Sequence, residues 1–153
     1  MLDEKIREIC ELLRLQGISN SYSYISDKAS KGSLSYSEYL YEVLKSEYEL
    51  QDKRAKETLL KFASFPKVKT IDTFDFSFAK VDKALINEIL TMRFIDESKN
   101  ILLLGPSGAG KTHLALSIGY AATQKRIKTK FITASDLVLQ LVLQKSKTNW
   151  IIT

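Results

Sequence analysis

The chain has 153 residues with a hydrophobic fraction of 44% and a charged fraction of 27%, which suits one ordinary domain, or a small appendage plus part of a larger one. Its N-terminus mixes charged with apolar residues, unlike a secretory signal, and its apolar runs are far shorter than the roughly 20 residues of a membrane span. One cysteine excludes an intramolecular disulfide and argues for a reducing compartment. One cysteine and one histidine also argue against a zinc site. We therefore expect a cytoplasmic protein and, because the apolar runs are short, no membrane partner.

The net positive charge of the chain comes from its last third. Residues 1–104 carry 16 Lys/Arg and 17 Asp/Glu, whereas residues 105–153 carry 7 basic residues and one acidic residue, Asp136. This basic excess could attract a polyanion such as DNA. It could instead be balanced by acidic residues beyond residue 153, which is the interpretation we favour.

Two helices are predicted near the N-terminus. Apolar residues spaced three and four apart indicate an amphipathic helix over residues 3–16, which Gly17 should end. Residues 20–31, rich in Ser, Tyr and Lys, are typical of a second, shorter helix that ends near Gly32.

A long helix is expected next. Ser35 is a good N-cap and Glu38 stands three residues on, which makes a capping box. The helix should run from about residue 36 to residue 63 and should end before Pro66. Residues 1–65 are therefore predicted to form a helical N-terminal domain.

Residues 66–99 are predicted to be a linker and a lead-in helix. The linker, residues 66–80, is extended and contains three aromatic side chains. The lead-in helix, residues 81–93, carries its apolar residues on one face.

The remaining residues, 100–153, predict part of an α/β domain. Four apolar residues, 101–104, between a polar segment and a glycine are typical of a buried parallel strand. The later elements are a helix over 111–124, a strand over 128–133, and a helix from the N-cap Ser135 to about residue 145. The strand–helix–strand order implies a right-handed crossover. The predicted fold is thus α/β, with the helical N-terminal domain followed by an incomplete P-loop parallel-sheet domain.

The turn after the first predicted strand contains a glycine-rich sequence motif that indicates a binding function. It matches G-x-x-x-x-G-K-[ST] in full, through Gly105, Pro106, Ser107, Gly108, Ala109, Gly110, Lys111 and Thr112. Glycines let the backbone curl so that successive N–H groups face phosphate oxygens. Lys111 would reach the β and γ phosphates, and Thr112 would ligate Mg²⁺. The pattern therefore predicts a P-loop (Walker A) that binds ATP or a similar nucleotide.

Hydrolysis needs an acidic residue at the end of a neighbouring hydrophobic strand, where it holds Mg²⁺ and polarises water. The single acidic residue after the loop is Asp136, which follows Thr133-Ala134-Ser135 at a predicted helix start. Capping of that helix explains Asp136 better than catalysis does. We therefore assign no catalytic residue.

The motif and its surroundings resemble the IstB-like helper ATPases of insertion sequences, which are relatives of DnaC-type helicase loaders. The resemblance covers nearly all of residues 2–145. It is carried by residues 100–115 around the loop, by Gly119-Tyr120-Ala121-Ala122, by residues 131–137, by residues 62–70, by Phe74-Asp75-Phe76, and by the helix with Glu47 and Arg54.

This resemblance implies an AAA+ ATPase that oligomerises on DNA with ATP and recruits or regulates a partner transposase. The loop would bind ATP and Mg²⁺, and His113 would be a packed first-turn residue at the cofactor site rather than a base. The segment 74–76 would either line the adenine side or anchor the linker on the core. The family's acidic (Walker B) strand, sensor residue and arginine finger would all follow residue 153. We therefore expect a truncated chain that binds nucleotide without efficient hydrolysis.

Other functions stay open at this point. The same loop suits a small kinase or an ABC-type ATPase. A tyrosine-rich N-terminus could also make the chain a non-enzymatic module that binds a transposase or DNA, although tyrosines at helical spacing more often pack in a core. Glu47 and Arg54, seven residues apart on one helix face, are interpreted as a solvated pair.

Overall fold

The computed structural model describes residues 2–32, 34–77, 79 and 81–148. Its helices are α1 Leu2–Leu12, α2 Gln16–Lys31, α3 Tyr36–Ala63, α4 Lys83–Ile89, α5 Arg93–Asp96, α6 Lys111–Gln124 and α7 Ala134–Thr148, with a 3₁₀ turn at Ile71–Thr73. The chain divides into two compact units, Met1–Glu57 and Thr58–Thr153. None of the helices among the described residues is long and apolar enough to cross a membrane.

In the first unit, the prediction that Gly17 ends the first helix was wrong, because α1 ends at Leu12 and Gly17 lies inside α2. A Cβ atom on Gly17 would lie 2.6 Å from both the Cα atom of Glu47 and the carbonyl oxygen of Ser46. Glycine is therefore needed here because α2 crosses α3 at backbone distance. The turn between α1 and α2 is made instead by Arg14, at a φ of 58°.

Glu47 is a buried structural acceptor, so its interpretation as half of a solvated pair was wrong. Its side chain is 7% exposed, and its Oε2 atom accepts a hydrogen bond from the backbone N–H of Ile18 at 3.1 Å. The Oε1 atom accepts from Gln51 at 3.0 Å. The N-cap of α2, Leu15, offers no side-chain acceptor, so Glu47 supplies from α3 the cap that α2 lacks.

The predicted start of the long helix is confirmed. The backbone N–H of Ser35 donates to Glu38 at 2.7 Å, and the backbone N–H of Glu38 donates to the Ser35 hydroxyl at 3.3 Å. These reciprocal bonds are the capping box. The bonds from Ser35 also hold the pKa of Glu38 below its ordinary value of 4.5.

The α/β prediction was wrong for the part of the chain that the structure describes, since no strand or sheet is formed there. Residues 101–104 are extended, but only Ile101 and Leu103 are half-buried, while Leu102 and Leu104 are 79% and 83% exposed. The stretch 128–133 is extended too, and its Phe131 N–H donates to the Ala63 carbonyl at 2.8 Å, at the end of α3. A strand requires a second strand as partner, and neither stretch has one among the described residues.

In the second unit, α6 is the central helix. One apolar cluster packs α6 against α4 and the linker through Phe74, Ala79, Ile86 and Leu114, and a second packs α6 against the α4–α5 corner through Met92, Ile118 and Ala122. The predicted lead-in helix over 81–93 is divided in two because Met92 adopts a φ of 70° and turns its side chain into the second cluster. The prediction of α6 over 111–124 is confirmed.

The last helix, α7, is capped by Thr133 and not by the predicted Ser135. The backbone N–H of Asp136 donates to the Thr133 hydroxyl at 3.1 Å, and that hydroxyl donates to the Asp136 carboxylate at 2.7 Å. Asp136 is therefore part of a helix cap, as the sequence indicated.

Candidate nucleotide-binding site

The glycine-rich loop, residues 105–110, connects the extended stretch 101–104 to α6. Gly108 and Gly110 both have a φ of 79°, in the left-handed region that side chains rarely adopt. A Cβ atom on Gly110 would also lie 2.8 Å from the Cε2 atom of Phe74. Glycine is thus required at Gly110 both by the backbone conformation and by the packing of Phe74.

The N-terminus of α6 is open to an acceptor from outside the helix. Its N-cap, Gly110, makes no side-chain hydrogen bond to the first turn. The first intrahelical bond is the one from the Leu114 N–H to the Gly110 carbonyl, at 2.9 Å. The N–H groups before it have no acceptor within the helix, and their partial positive charge favours an anion at this end.

The side chain of Lys111 folds back onto the start of the loop. Its ammonium group donates to the carbonyl oxygens of Gly105 at 2.9 Å and Pro106 at 2.6 Å. The next residue, Thr112, is exposed on the first turn of the same helix. The cation, the uncapped N–H groups and an exposed hydroxyl therefore lie together, as phosphate with a bound cation requires.

His113 is turned towards the linker. Its Nε2 atom lies 3.2 Å from the carbonyl oxygen of Thr70 and 3.3 Å from the hydroxyl of Thr73, and its ring meets Phe74 edge-on at 5.3 Å between centroids. Because a carbonyl oxygen only accepts, this network assigns the proton to Nε2. No sequence signal pointed to the two threonines, which reach His113 because Thr70 is the N-cap of the 3₁₀ turn and Thr73 is its last residue.

Within the aromatic segment 74–76, Phe74 is the residue that anchors the linker on the apolar core. Phe74 is 8% exposed within the cluster under the loop, and Phe76 packs edge-on against it at 5.0 Å. A small cleft of about 260 Å³ lies between Thr73-Phe74-Asp75 and the loop. A larger and mostly apolar cleft of about 890 Å³ lies between α4 and residues 100–109. Two clefts therefore border the loop.

No cluster of three His, Cys, Asp or Glu side chains able to hold a metal by itself occurs among the described residues. A divalent cation would therefore depend on ligands from the nucleotide phosphates beside the Thr112 hydroxyl, as is usual for Mg²⁺.

The comparison with known families decides between the interpretations that the loop left open. Residues 9–152 match the family described as IstB-like ATP binding protein. The chain belongs to this family. Membership in the IstB-like family displaces the small-kinase and ABC-type alternatives.

Curated relatives agree with the IstB-like assignment. A protein of Geobacillus stearothermophilus, named for ATP binding and for insertion sequence IS5376, is 47% identical over 92% of this chain and 56% of its own length. The corresponding proteins named for IS232 in Bacillus thuringiensis subsp. berliner and for IS21 in Pseudomonas aeruginosa are 36% and 33% identical, over 86% and 88% of this chain. They are covered over 53% and 51% of their own lengths, so the chain spans about half the length of the curated relatives that it matches.

Proposed function

We propose that the chain binds ATP with Mg²⁺ at residues 105–112 and serves an insertion sequence as an ATP-dependent helper of transposition. The observation that carries the proposal is the uncapped N-terminus of α6, which lies under a loop turned by two left-handed glycines and beside the Lys111 ammonium group. These features fit a phosphate chain because the donors and the positive charge converge on one place.

The backbone donors and two side chains of the motif have distinct roles in this proposal. The N–H groups of the loop and of the first turn of α6 bind phosphate oxygens. Lys111 exchanges the carbonyl oxygens of Gly105 and Pro106 for β and γ phosphate oxygens, which carry full negative charge and bind an ammonium group more strongly. Thr112 contributes its hydroxyl to Mg²⁺. The small cleft beside residues 73–75 takes the adenine side of the nucleotide, with His113 holding that segment in place.

These 153 residues are proposed to bind ATP without hydrolysing it efficiently. Asp136, the one acidic residue that follows the loop, is engaged by Thr133 at the start of α7. A carboxylate that caps a helix is not placed at the end of a hydrophobic strand, where a catalytic acid would lie.

The partners in this proposal are DNA, a transposase and further copies of the chain. Support comes from the family and from relatives whose names refer to insertion sequences. Residues 1–65 would act as a helical domain, residues 66–99 as the linker and lead-in segment, and residues 100–153 as the part that binds ATP.

The experiment measures ATP binding and turnover side by side on the 153-residue chain with Mg²⁺. Lys111→Ala should weaken ATP binding by at least about tenfold, because a hydrogen bond to a charged group contributes about 1.5–3 kcal/mol. Lys83→Ala, which removes an exposed lysine from α4, is the control and should leave the affinity unchanged. Equal affinity of wild type and Lys111→Ala would refute the site, and turnover lost in Lys111→Ala would refute the claim of weak hydrolysis.

A further inference from the structure

We propose that Lys128 and Lys130, which lie over the ring of Phe62, form a surface that binds the phosphate backbone of duplex DNA, separate from the nucleotide site. The choice of DNA among polyanions rests on the proposed function. The surface itself rests on the geometry of the segment that follows α6.

The two lysines project to the same side of the chain. In the extended stretch 128–131, Lys128 and Lys130 are exposed while Thr129 and Phe131 are half-buried. This alternation is that of an extended backbone, in which every second side chain shares a face. The hydrogen bond from the Phe131 N–H to Ala63 fastens the stretch to the end of α3. The positions of both lysines are therefore fixed by the fold.

Phe62 keeps the two charges together. The Nζ atoms of Lys128 and Lys130 lie 4.5 Å and 5.9 Å from the centroid of the Phe62 ring, which is 43% exposed. The electron-rich face of the ring attracts both cations and offsets part of their mutual repulsion. Because ammonium groups occupy this ring, it is a poor platform for stacking bases, which favours backbone phosphates over unpaired bases as the ligand.

The charge of these lysines is not neutralised within the described part of the chain. The ion pairs found there that involve lysine engage Lys45, Lys56 and Lys99 instead. The neighbouring Lys125 is different, since its ammonium group donates to the Thr91 carbonyl at 3.0 Å, and we leave it out of the surface. When two cations that lack carboxylate partners bind phosphates, counterions condensed on the DNA are released, and this release drives the association.

The lysine surface lies beside the second half of α6, whereas the loop precedes the first residue of that helix. Thr129, between the two lysines, has its Cγ2 atom 3.6 Å from the position that a Cβ atom on Gly119 would take. Gly119 lies eight residues after Lys111, which is about 12 Å along the helix at 1.5 Å per residue. We therefore infer that DNA and nucleotide bind at separate places and that each can be removed without the other.

The test measures binding of the 153-residue chain to two fluorescent DNA duplexes of unrelated sequence over a range of salt concentrations. In Lys128→Gln/Lys130→Gln, the slope of log affinity against log salt should fall by about 1.8, or about 0.9 for each lost phosphate contact. The loss should be the same on both duplexes because phosphates carry no sequence. ATP affinity should not change, and Lys128→Arg/Lys130→Arg should retain the wild-type slope.

The matched control is Lys45→Gln/Lys83→Gln. It removes the same charge, and each of these lysines also lies over an aromatic ring, at 5.9 Å from Tyr41 and 5.7 Å from Phe76. An equal fall of the slope in the control would overturn the proposal, as would an unchanged slope in Lys128→Gln/Lys130→Gln. Absence of duplex binding by the wild type at low salt would overturn it too, and so would equally tight binding of poly-glutamate.

The same measurements separate this surface from the proposed function. If the wild type fails to bind ATP but the slope responds to the lysine variants, the nucleotide site is refuted and the DNA surface stands. If ATP binding is normal and the slope does not respond, the surface is refuted alone.

Discussion

The Nε2 atom of His113 lies 3.2 Å from the carbonyl oxygen of Thr70, so the first turn of α6 is bonded directly to the linker. This contact joins the helix that starts at the glycine-rich loop to the segment that contributes Phe74. The sole histidine of the chain therefore holds the linker against the first turn of α6.

Removal of this contact should loosen the linker without removing the nucleotide site. We expect His113→Ala to lower the free energy of unfolding by about 0.5–1.5 kcal/mol, the net contribution of a hydrogen bond, and to weaken ATP binding moderately. His113→Gln can donate from its amide nitrogen and should restore part of both. Denaturant unfolding and ATP titration check this, and a complete loss of ATP binding at unchanged stability would show that His113 contacts the nucleotide itself.

The two left-handed glycines of the loop permit a paired test. Gly108 and Gly110 share a φ of 79°, but a Cβ atom on Gly108 would meet nothing within 4 Å, whereas one on Gly110 would meet Phe74. Gly108→Ala should therefore cost only the backbone strain, about 1–2 kcal/mol. Gly110→Ala should cost more, since the Phe74 ring must also move. Equal losses of unfolding free energy in the two variants would contradict the contact with Phe74.

Glu47 should be important for the stability of the first unit. Glu47→Ala leaves the half-buried N–H of Ile18 without its acceptor, and we expect a loss of about 1–3 kcal/mol in unfolding free energy. Glu49→Ala, on the same helix, removes an exposed carboxylate and should change stability by less than about 0.5 kcal/mol. Denaturant unfolding distinguishes the two, and Glu47→Gln, which keeps one acceptor oxygen, should fall between them.

The capping box of α3 should make stability depend on pH. Since the pKa of Glu38 is lower in the folded chain than its ordinary value of 4.5, the unfolded chain binds the proton more readily. The stabilisation is therefore complete above pH 4.5 and is lost as the pH falls through the lower folded-state pKa. Thermal melts should show that Ser35→Ala, which removes the hydroxyl partner, is less stable than the wild type at neutral pH. A difference between the two that does not shrink in acid would refute this assignment.

The sequence predicted the helices well where a local signal was present. The capping box of Ser35 and Glu38 placed the start of α3, and the loop motif placed the start of α6. Local chemistry fixes such ends because the capping groups lie within one helical turn. The role of Asp136 was predicted correctly for the same reason.

The failures were long-range. Four apolar residues at 101–104 indicated a buried strand, yet apolar character does not say which segment will lie alongside. The contact between Gly17 and Glu47 joins positions 30 residues apart, so no local pattern could reveal it. The alternation in residues 128–131 could suggest that Lys128 and Lys130 share a face. It could not show that the Phe62 ring of α3 lies beneath them.

The extended stretch 101–104 is also where we expect a protease to cleave this chain first. Proteolytic enzymes bind their substrates as open, accessible backbone, and cleavage concentrates where local contacts are few. Here Leu102 and Leu104 present bulky side chains to water on a backbone that exchanges no hydrogen bonds with other described segments. The first cut by a protease that prefers leucine should fall in this stretch, and it would detach the glycine-rich loop from everything that precedes it.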